Sequence, residues 1–359
     1  MYTVGKETLL GGNALKTLGL SAARLPASEF YPLRDAFVCQ YEQAFPGVRI
    51  VPIPAYGQKA DFGDLDVLVE QEAFEAAGGP EALVAWASSV GHCRGHVHQA
   101  NSSAVSLEWR QGPSDKEGFQ VDVITSPAAE MDFCLRYFSY NDLGNLMGRI
   151  AEGMGFVYGH RGLLYRMREG THQFDCLTVS MDNDKVMAFM GYDPLRFKEG
   201  FQTLEEIFVF AASSPYFNPD MYLLENRNHT SRMRDRKRTT YKQFLLWIED
   251  RPGLPAHPLR LDNQAWLQRA REAFSGFGAA IEQSLENLQR QRFIRSLFNG
   301  KTVGEMTGLS GESLGLAMER VREAMPDGEL EALLRQAGLA GLGPMLLPPS
   351  VDRVKPPRP

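Results

Sequence analysis

Asp64, Asp66 and Asp122 are the residues whose types and spacing can do chemistry. The first two lie in Ala60–Glu70, ADFGDLDVLVE, where the glycine-containing turn Asp61–Phe62–Gly63 runs into strand-type positions. Side chains alternate across a strand, so Asp64 and Asp66 share one face while Leu65, Val67 and Val69 share the other. Two carboxylates held that close repel one another unless a cation lies between them. Asp122 stands between Val121 and Val123 in a second apolar run, Phe119–Thr125 (FQVDVIT). A lone carboxylate inside such a strand is costly to bury, and a cation on that face offsets the cost. Paired strands lie ~4.8 Å apart, so pairing of these two runs would bring all three carboxylates to one patch. That patch suits two divalent ions about 4 Å apart, and all-oxygen ligands favour Mg2+ or Mn2+ over zinc.

The elements that must position this patch read as an α+β protein. A small mixed or antiparallel sheet flanked by helices is expected, followed by a mainly helical part. With 359 residues, 43% hydrophobic and 23% charged, the chain has room for two domains or one with an appendage. Ser28–Phe45 reads as a helix with Phe30, Leu33, Phe37, Tyr41 and Ala44 on one face, ended by Pro46–Gly47. Val48–Pro54 is a strand, and Gly79–Val90 a helix with Pro80 in its first turn. Ala104–Arg110 and Phe119–Thr125 form a hairpin around the polar turn Gln111–Gly118. From Phe133 onward helices dominate: Asn141–Gly153, then a small hairpin from Phe156–Met167 and Phe174–Ser180, then Leu204–Ala212 opened by a capping box at Thr203. Asp262–Phe298 reads as one long amphipathic helix closed by Gly300, followed by short helices near 302–307, 312–325 and 328–337. Gly341–Pro359 holds six of the 21 prolines and reads as a flexible tail. The expected domains are therefore 1–130, 131–300 and 301–340, with a tail at 341–359.

A net charge of −6 gives no general attraction to nucleic acid or anionic membrane, so any such binding must be local. The four cysteines, Cys39, Cys93, Cys134 and Cys176, are far apart, which fits a reducing compartment. No apolar run approaches the ~18 residues of a membrane span, and the first residues lack a signal peptide's apolar core, so a cytoplasmic protein is expected.

Four further groups are candidates. Gly11 and Gly12, in Leu10–Ala14, give a turn whose amides could bind phosphate, or a plain loop. His96 and His98 share a strand face and could ligate zinc, but no Cys or His recurs at ligand spacing, and exposed or hydrogen-bonded histidines are the favoured reading. His160 and Arg161, in the turn Tyr158–Gly162, are either phosphate contacts or ordinary turn residues. Arg227–Lys242 carries seven Lys/Arg against one Asp. As one helix it would align Arg234, Lys237, Arg238 and Tyr241 in a stripe. That stripe is either a solvated face or a grip on a triphosphate or an RNA backbone.

A strand, a glycine-containing turn, an alternating D-x-D and a later strand aspartate, spread over residues 48–125, resemble the polymerase β-like nucleotidyltransferase superfamily. The resemblance implies that Asp64 and Asp66 bind both metals and the nucleotide. It implies that Asp122 binds the catalytic metal and helps activate the attacking hydroxyl, with an NTP as substrate and pyrophosphate released. The family's Gly-Ser or Gly-Gly pair is absent after the first strand. Gly57 and Lys59 stand there instead, with Gly63 in the turn, and Lys59 is placed to meet a triphosphate. More faintly, Leu135–Asp142 (LRYFSYND) is similar to the R-R-D-F-T-x-N segment of CCA-adding tRNA nucleotidyltransferases. Phe298–Lys301 and Gly308–Gly315 resemble the end of their helical region. The Glu-Asp-x-x-Arg motif of those enzymes is not present, since Gly253 stands where its arginine belongs. The layout also looks like nucleotidyltransferase-like proteins of phages. The implied acceptor is an RNA 3′ end, possible tRNA included. A protein or small-molecule hydroxyl is the runner-up, and a non-catalytic RNA- or nucleotide-binding module the alternative.

Overall fold

The computed structural model describes residues 14–20, 22–90, 93–98, 103–110, 117–258 and 262–347. Gly11, Gly12 and residues 348–359 therefore lie outside the described residues. The chain forms two compact units, one drawn from 1–166 and 176–274, the other from 167–175 and 275–359. Residues 131–274, apart from 167–175, thus belong with the N-terminal part.

Helix α1 (Ala27–Ala44) leads into strand β1 (Ile50–Pro52), then β2 (Asp64–Glu70), helix α2 (Gly79–Val90) and strands β3 (His96–His98), β4 (Ala104–Trp109) and β5 (Phe119–Ser126). The five strands make one mixed sheet in the order β1-β2-β5-β4-β3. Only β2 and β5 run parallel; β1–β2, β5–β4 and β4–β3 are antiparallel. The hairpin expected from Ala104–Arg110 and Phe119–Thr125 is present as β4–β5.

Strand alternation divides the sheet's two faces sharply. Leu65, Val67, Val69, Val105, Leu107, Val121 and Val123 form one core with Phe30, Leu33, Phe37 and Tyr41 of α1 and Leu83 and Ala87 of α2. The α1 residues are the stripe its helical spacing requires. On the opposite face Leu68, Ala104 and Ile124 pack with Met131 and Cys134 of helix α3 (Met131–Phe138). That apolar patch covers only part of the second face. Toward the starts of β2 and β5 the same face carries Asp64, Asp66, Gln120 and Asp122.

After α3 comes helix α4 (Leu143–Gly153). The hairpin expected from Phe156–Met167 and Phe174–Ser180 is present as β7 (Gly162–Glu169) and β8 (His172–Ser180), and β6 (Val157–Gly159) adds a third strand on the other side of β7. The tight Gly159↔Gly162 pairing turns Val157–Gly159 into a strand of its own. Helix α5 (Leu204–Ala211) begins at Thr203, whose Oγ1 accepts the Glu206 N–H at 3.2 Å. The basic segment 227–242 is not one helix. It forms α6 (His229–Asp235) and the start of α7 (Thr239–Glu249), separated at 236–238, so no continuous stripe joins Arg234 to Tyr241.

The helix expected over Asp262–Phe298 is two helices, α8 (Asn263–Ala273) and α9 (Phe277–Leu297). Gly276 lies between them with φ +85°, a left-handed conformation that breaks a helix and suits glycine. In the second unit, α10 (Gly300–Thr307), α11 (Gly311–Ala324) and α12 (Asp327–Ala337) join α9 around Ile294, Phe298, Val303, Val321, Leu330 and Leu334. Residues 341–347 are not tail: Leu342 and Leu346 are buried in this same core, on a 3-10 turn Leu339–Leu342 and the short helix Gly343–Leu346. Among the described residues no helix is long and apolar enough to cross a membrane.

Candidate metal centre

The parallel register of β2 and β5 puts Asp66 directly beside Asp122, and Asp64 beside Gln120. On the other side of β5, Ser106 of β4 is the partner of Asp122. Oxygen atoms of Asp64, Asp66 and Asp122 all lie within 4.8 Å of one another. Pairing of the two strands thus brings together the three carboxylates that the sequence singles out.

Their environment opposes negative charge. Asp122 is fully buried, and its carboxyl is pushed up to about 6. Burial is the main cause, Asp64 adds to it, and hydrogen bonds from Ser106 and Gln120 act the other way. Gln120 donates from Nε2 to both Asp122 oxygens, at 3.1 and 2.9 Å. Asp66 is raised well above the ordinary carboxylate range, first by burial and then by the charges of Asp64 and Asp122, against a lowering influence of Lys59. Its Oδ1 is buried and has no hydrogen-bond partner among the described residues.

That orphaned oxygen tests whether a cation fits. Three clustered carboxylates, one with a buried unmatched oxygen, are a donor set that fits a hard cation. The donors are all oxygen, which suits Mg2+ or Mn2+. Among the described residues it is the one cluster of three or more acidic, His or Cys side chains close enough to share an ion.

Lys59 lies near the triad: burial lowers its ammonium, while Asp64 and Asp66 are the leading influences raising it. Its Nζ also sits 4.6 Å from the centre of the Phe62 ring. Lys59 is therefore a countercharge to the carboxylates. A Cβ at Gly63 would meet only Arg24 Nη1, at 2.8 Å, the far end of an exposed side chain that can shift; Arg24 is paired with Asp61 in the same turn.

The glycine turn does not offer a phosphate cradle. The Gly57 and Gln58 N–H groups donate to the Phe201 and Gln202 carbonyls at 2.9 and 2.8 Å, and the Lys59 N–H donates to Tyr56 at 3.2 Å. Three successive amides are thus already matched. His160 stacks on Phe138 with ring centres 5.7 Å apart, and Arg161 pairs with Glu130 at 3.5 Å, so this turn is tied to α3 and the residue just before it. His96 and His98 are exposed on the edge strand β3 and belong to no metal-ligand cluster among the described residues.

The basic segment is also largely engaged. Arg234 donates to Asn145 Oδ1 at 2.8 Å, Arg238 pairs with Asp142, and only Arg236 and Lys237 of residues 234–238 are exposed. Residues 2 positions from a singled-out aspartate on its own strand, such as Gln120, were not picked out by sequence reasoning, and neither was Ser106. Strand alternation places Gln120 on the face of Asp122, which is the signal that identifies it.

No protein-family model matches the chain, and no curated protein resembles it significantly.

Proposed function

We propose that the chain is a divalent-metal-dependent nucleotidyltransferase, moving a nucleoside monophosphate from an NTP to an acceptor hydroxyl with release of pyrophosphate. One observation carries the reading: three carboxylates within 4.8 Å of one another on adjacent parallel strands, one with a buried unmatched oxygen. Asp64, Asp66 and Asp122 would hold Mg2+ or Mn2+. When bound, such ions lower the pKa of an attacking hydroxyl and offset the charge of a triphosphate. The nucleotidyltransferase-like layout is part of the proposal, since a mixed sheet with helices on both faces suits it without requiring it.

The chain's own groups have distinct tasks. Gln120 and Ser106 fix the Asp122 carboxylate, so its oxygens keep one orientation. Held in that orientation as a ligand of the ion that would activate the attacking hydroxyl, Asp122 would stand next to that hydroxyl to take its proton. Lys59 holds positive charge against Asp64 and Asp66. The preferred acceptor is an RNA 3′ end, in a cytoplasmic setting. The exposed part of the basic segment, Arg236 and Lys237, remains its support. Protein and small-molecule hydroxyls belong in the same trial.

A second reading is a nucleotide- or RNA-binding module without catalysis: with the Gly57–Lys59 amides already matched, the turn lacks the phosphate cradle that the enzyme reading calls for. The two part in one experiment. The protein is incubated with Mg2+ or Mn2+, each labelled NTP, and RNA, protein and small-molecule acceptors. Label transfer that disappears in Asp64→Ala and Asp122→Ala supports the enzyme. NTP or RNA binding with no transfer to any acceptor, or transfer that survives both substitutions, overturns it.

A further inference from the structure

Asp142, Asn145, Arg149, Arg227, Arg234, Asp235 and Arg238 draw α4, the segment before α6, α6 itself and the α6–α7 link into one charged cluster. Arg227 is its centre. The Arg227 side chain is 2% exposed and that of Asp235 is 0% exposed, with Nη2 and Oδ2 2.9 Å apart. Arg234 meets Asp235 Oδ1 at 3.3 Å and Asn145 Oδ1 at 2.8 Å. Arg238 pairs with Asp142, and Arg149 with Glu152. Four guanidiniums thus face three carboxylates. Tyr222 and Tyr241, both fully buried, back the cluster; Tyr241 donates to the Tyr222 carbonyl at 2.7 Å.

The hydrogen-bond inventory is lopsided. Six buried donor atoms lack a well-aligned acceptor among the described residues, Arg227 Nε, Nη1 and Nη2, Arg149 Nε, Arg238 Nε and Asn145 Nδ2, with Tyr241 and Asp235 the groups beside Arg227. In the same cluster a single buried acceptor lacks a donor, Asp235 Oδ2. Its 2.9 Å approach to Arg227 Nη2 is an ion pair without hydrogen-bond alignment. Buried donors left unmatched are costly, so a surplus of this size calls for an oxygen-rich anion. Arginine forks match phosphate oxygens in geometry as well as charge.

The lone acceptor narrows the choice. Hydrogen phosphate carries a P–OH that can donate to Asp235 Oδ2, while its remaining oxygens accept from the arginines. Sulfate has no proton to give at neutral pH and would place an oxygen against a carboxylate. Burial narrows it further: side chains this enclosed exclude a polynucleotide strand. We propose that this cluster is a binding site for a protonated phosphate group, free or as a compact monoester, selected over sulfate by Asp235. Binding here does not require the carboxylate triad, and it replaces the RNA-backbone role that the spacing of Arg234 and Arg238 suggests.

The test uses the full chain at constant ionic strength and pH 7, with equilibrium dialysis of labelled inorganic phosphate and thermal unfolding in phosphate, sulfate or AMP. Expected are saturable binding near one equivalent, a rise in Tm with phosphate, and sulfate weaker by roughly tenfold or more. Displacement of the labelled phosphate by AMP identifies a monoester site; no displacement identifies the free ion. Arg227→Lys and Asn145→Leu each weaken phosphate binding, and Asp235→Asn narrows the gap between phosphate and sulfate. If Arg227→Lys does not fold, Asn145→Leu decides. No saturable phosphate binding by the wild-type chain, equal binding of sulfate, or undiminished binding in the folded variants would overturn the proposal.

Discussion

Asp122 carries a charge that its surroundings resist, and this makes stability depend on pH in a definite direction. Its folded pKa of about 6, set mainly by burial, lies above the value near 3.9 of an unfolded aspartate. A raised folded pKa means that the residue's contribution is most favourable below about pH 4 and is lost as pH rises through about 6. The gap between the folded and unfolded values corresponds to ~3 kcal/mol between those limits. Asp122→Asn removes the titration while keeping the shape. Without divalent metal, the variant is therefore expected to gain stability relative to wild type by up to ~3 kcal/mol on going from pH 4 to pH 7.5. Urea unfolding of both proteins in a chelator, at several pH values, measures that change. A difference that stays constant across the range would remove the case for a strained carboxylate.

At the scale of elements, Thr203 offers a clean measurement. Its side chain accepts the Glu206 N–H, matching one of the donors left open at the start of α5. Thr203→Ala is expected to cost ~1 kcal/mol in urea unfolding, and Thr203→Ser much less, because serine keeps the oxygen. Equal losses would assign the effect to the methyl group instead. This cap was legible in the sequence because its signal is local, a Thr followed three positions later by Glu. The strands of the triad were legible for the same kind of reason, apolar alternation interrupted by aspartates. Their parallel register was not: it depends on which strand β4 leaves free to pair with β5, a long-range outcome. The breaks at 236–238 and Gly276 were hidden because helix-forming residues continue on both sides, and a single glycine does not decide a helix end by itself. The engagement of the Gly57 and Gln58 amides was also beyond reach, since Phe201 and Gln202 lie over 140 residues away in the chain. The burial of Leu342 and Leu346 was masked by the glycines and prolines around them.

For the whole molecule, what matters is that the triad and the C-terminal helices draw on different cores. Asp64, Asp66 and Asp122 rest on strands packed with α1 and α2, all within the first unit. Leu334 packs with Leu330, Val321, Phe298 and Leu342, all within the second. Leu334 is 2% exposed, so truncating it leaves a cavity that its neighbours fill only in part. Leu334→Ala is expected to lower the stability of the second unit by ~2–5 kcal/mol. Units with separate cores can open separately, and amide exchange resolves them. Exchange should therefore speed up across residues 277–346 while β2 and β5 keep their protection. Mn2+ titration of the same variant, followed by electron paramagnetic resonance, should give an affinity for the triad equal to that of wild type. If protection of β2 and β5 falls by as much as that of α9–α12, the chain unfolds as one cooperative block. Leu334→Ala should then weaken Mn2+ binding in step with stability.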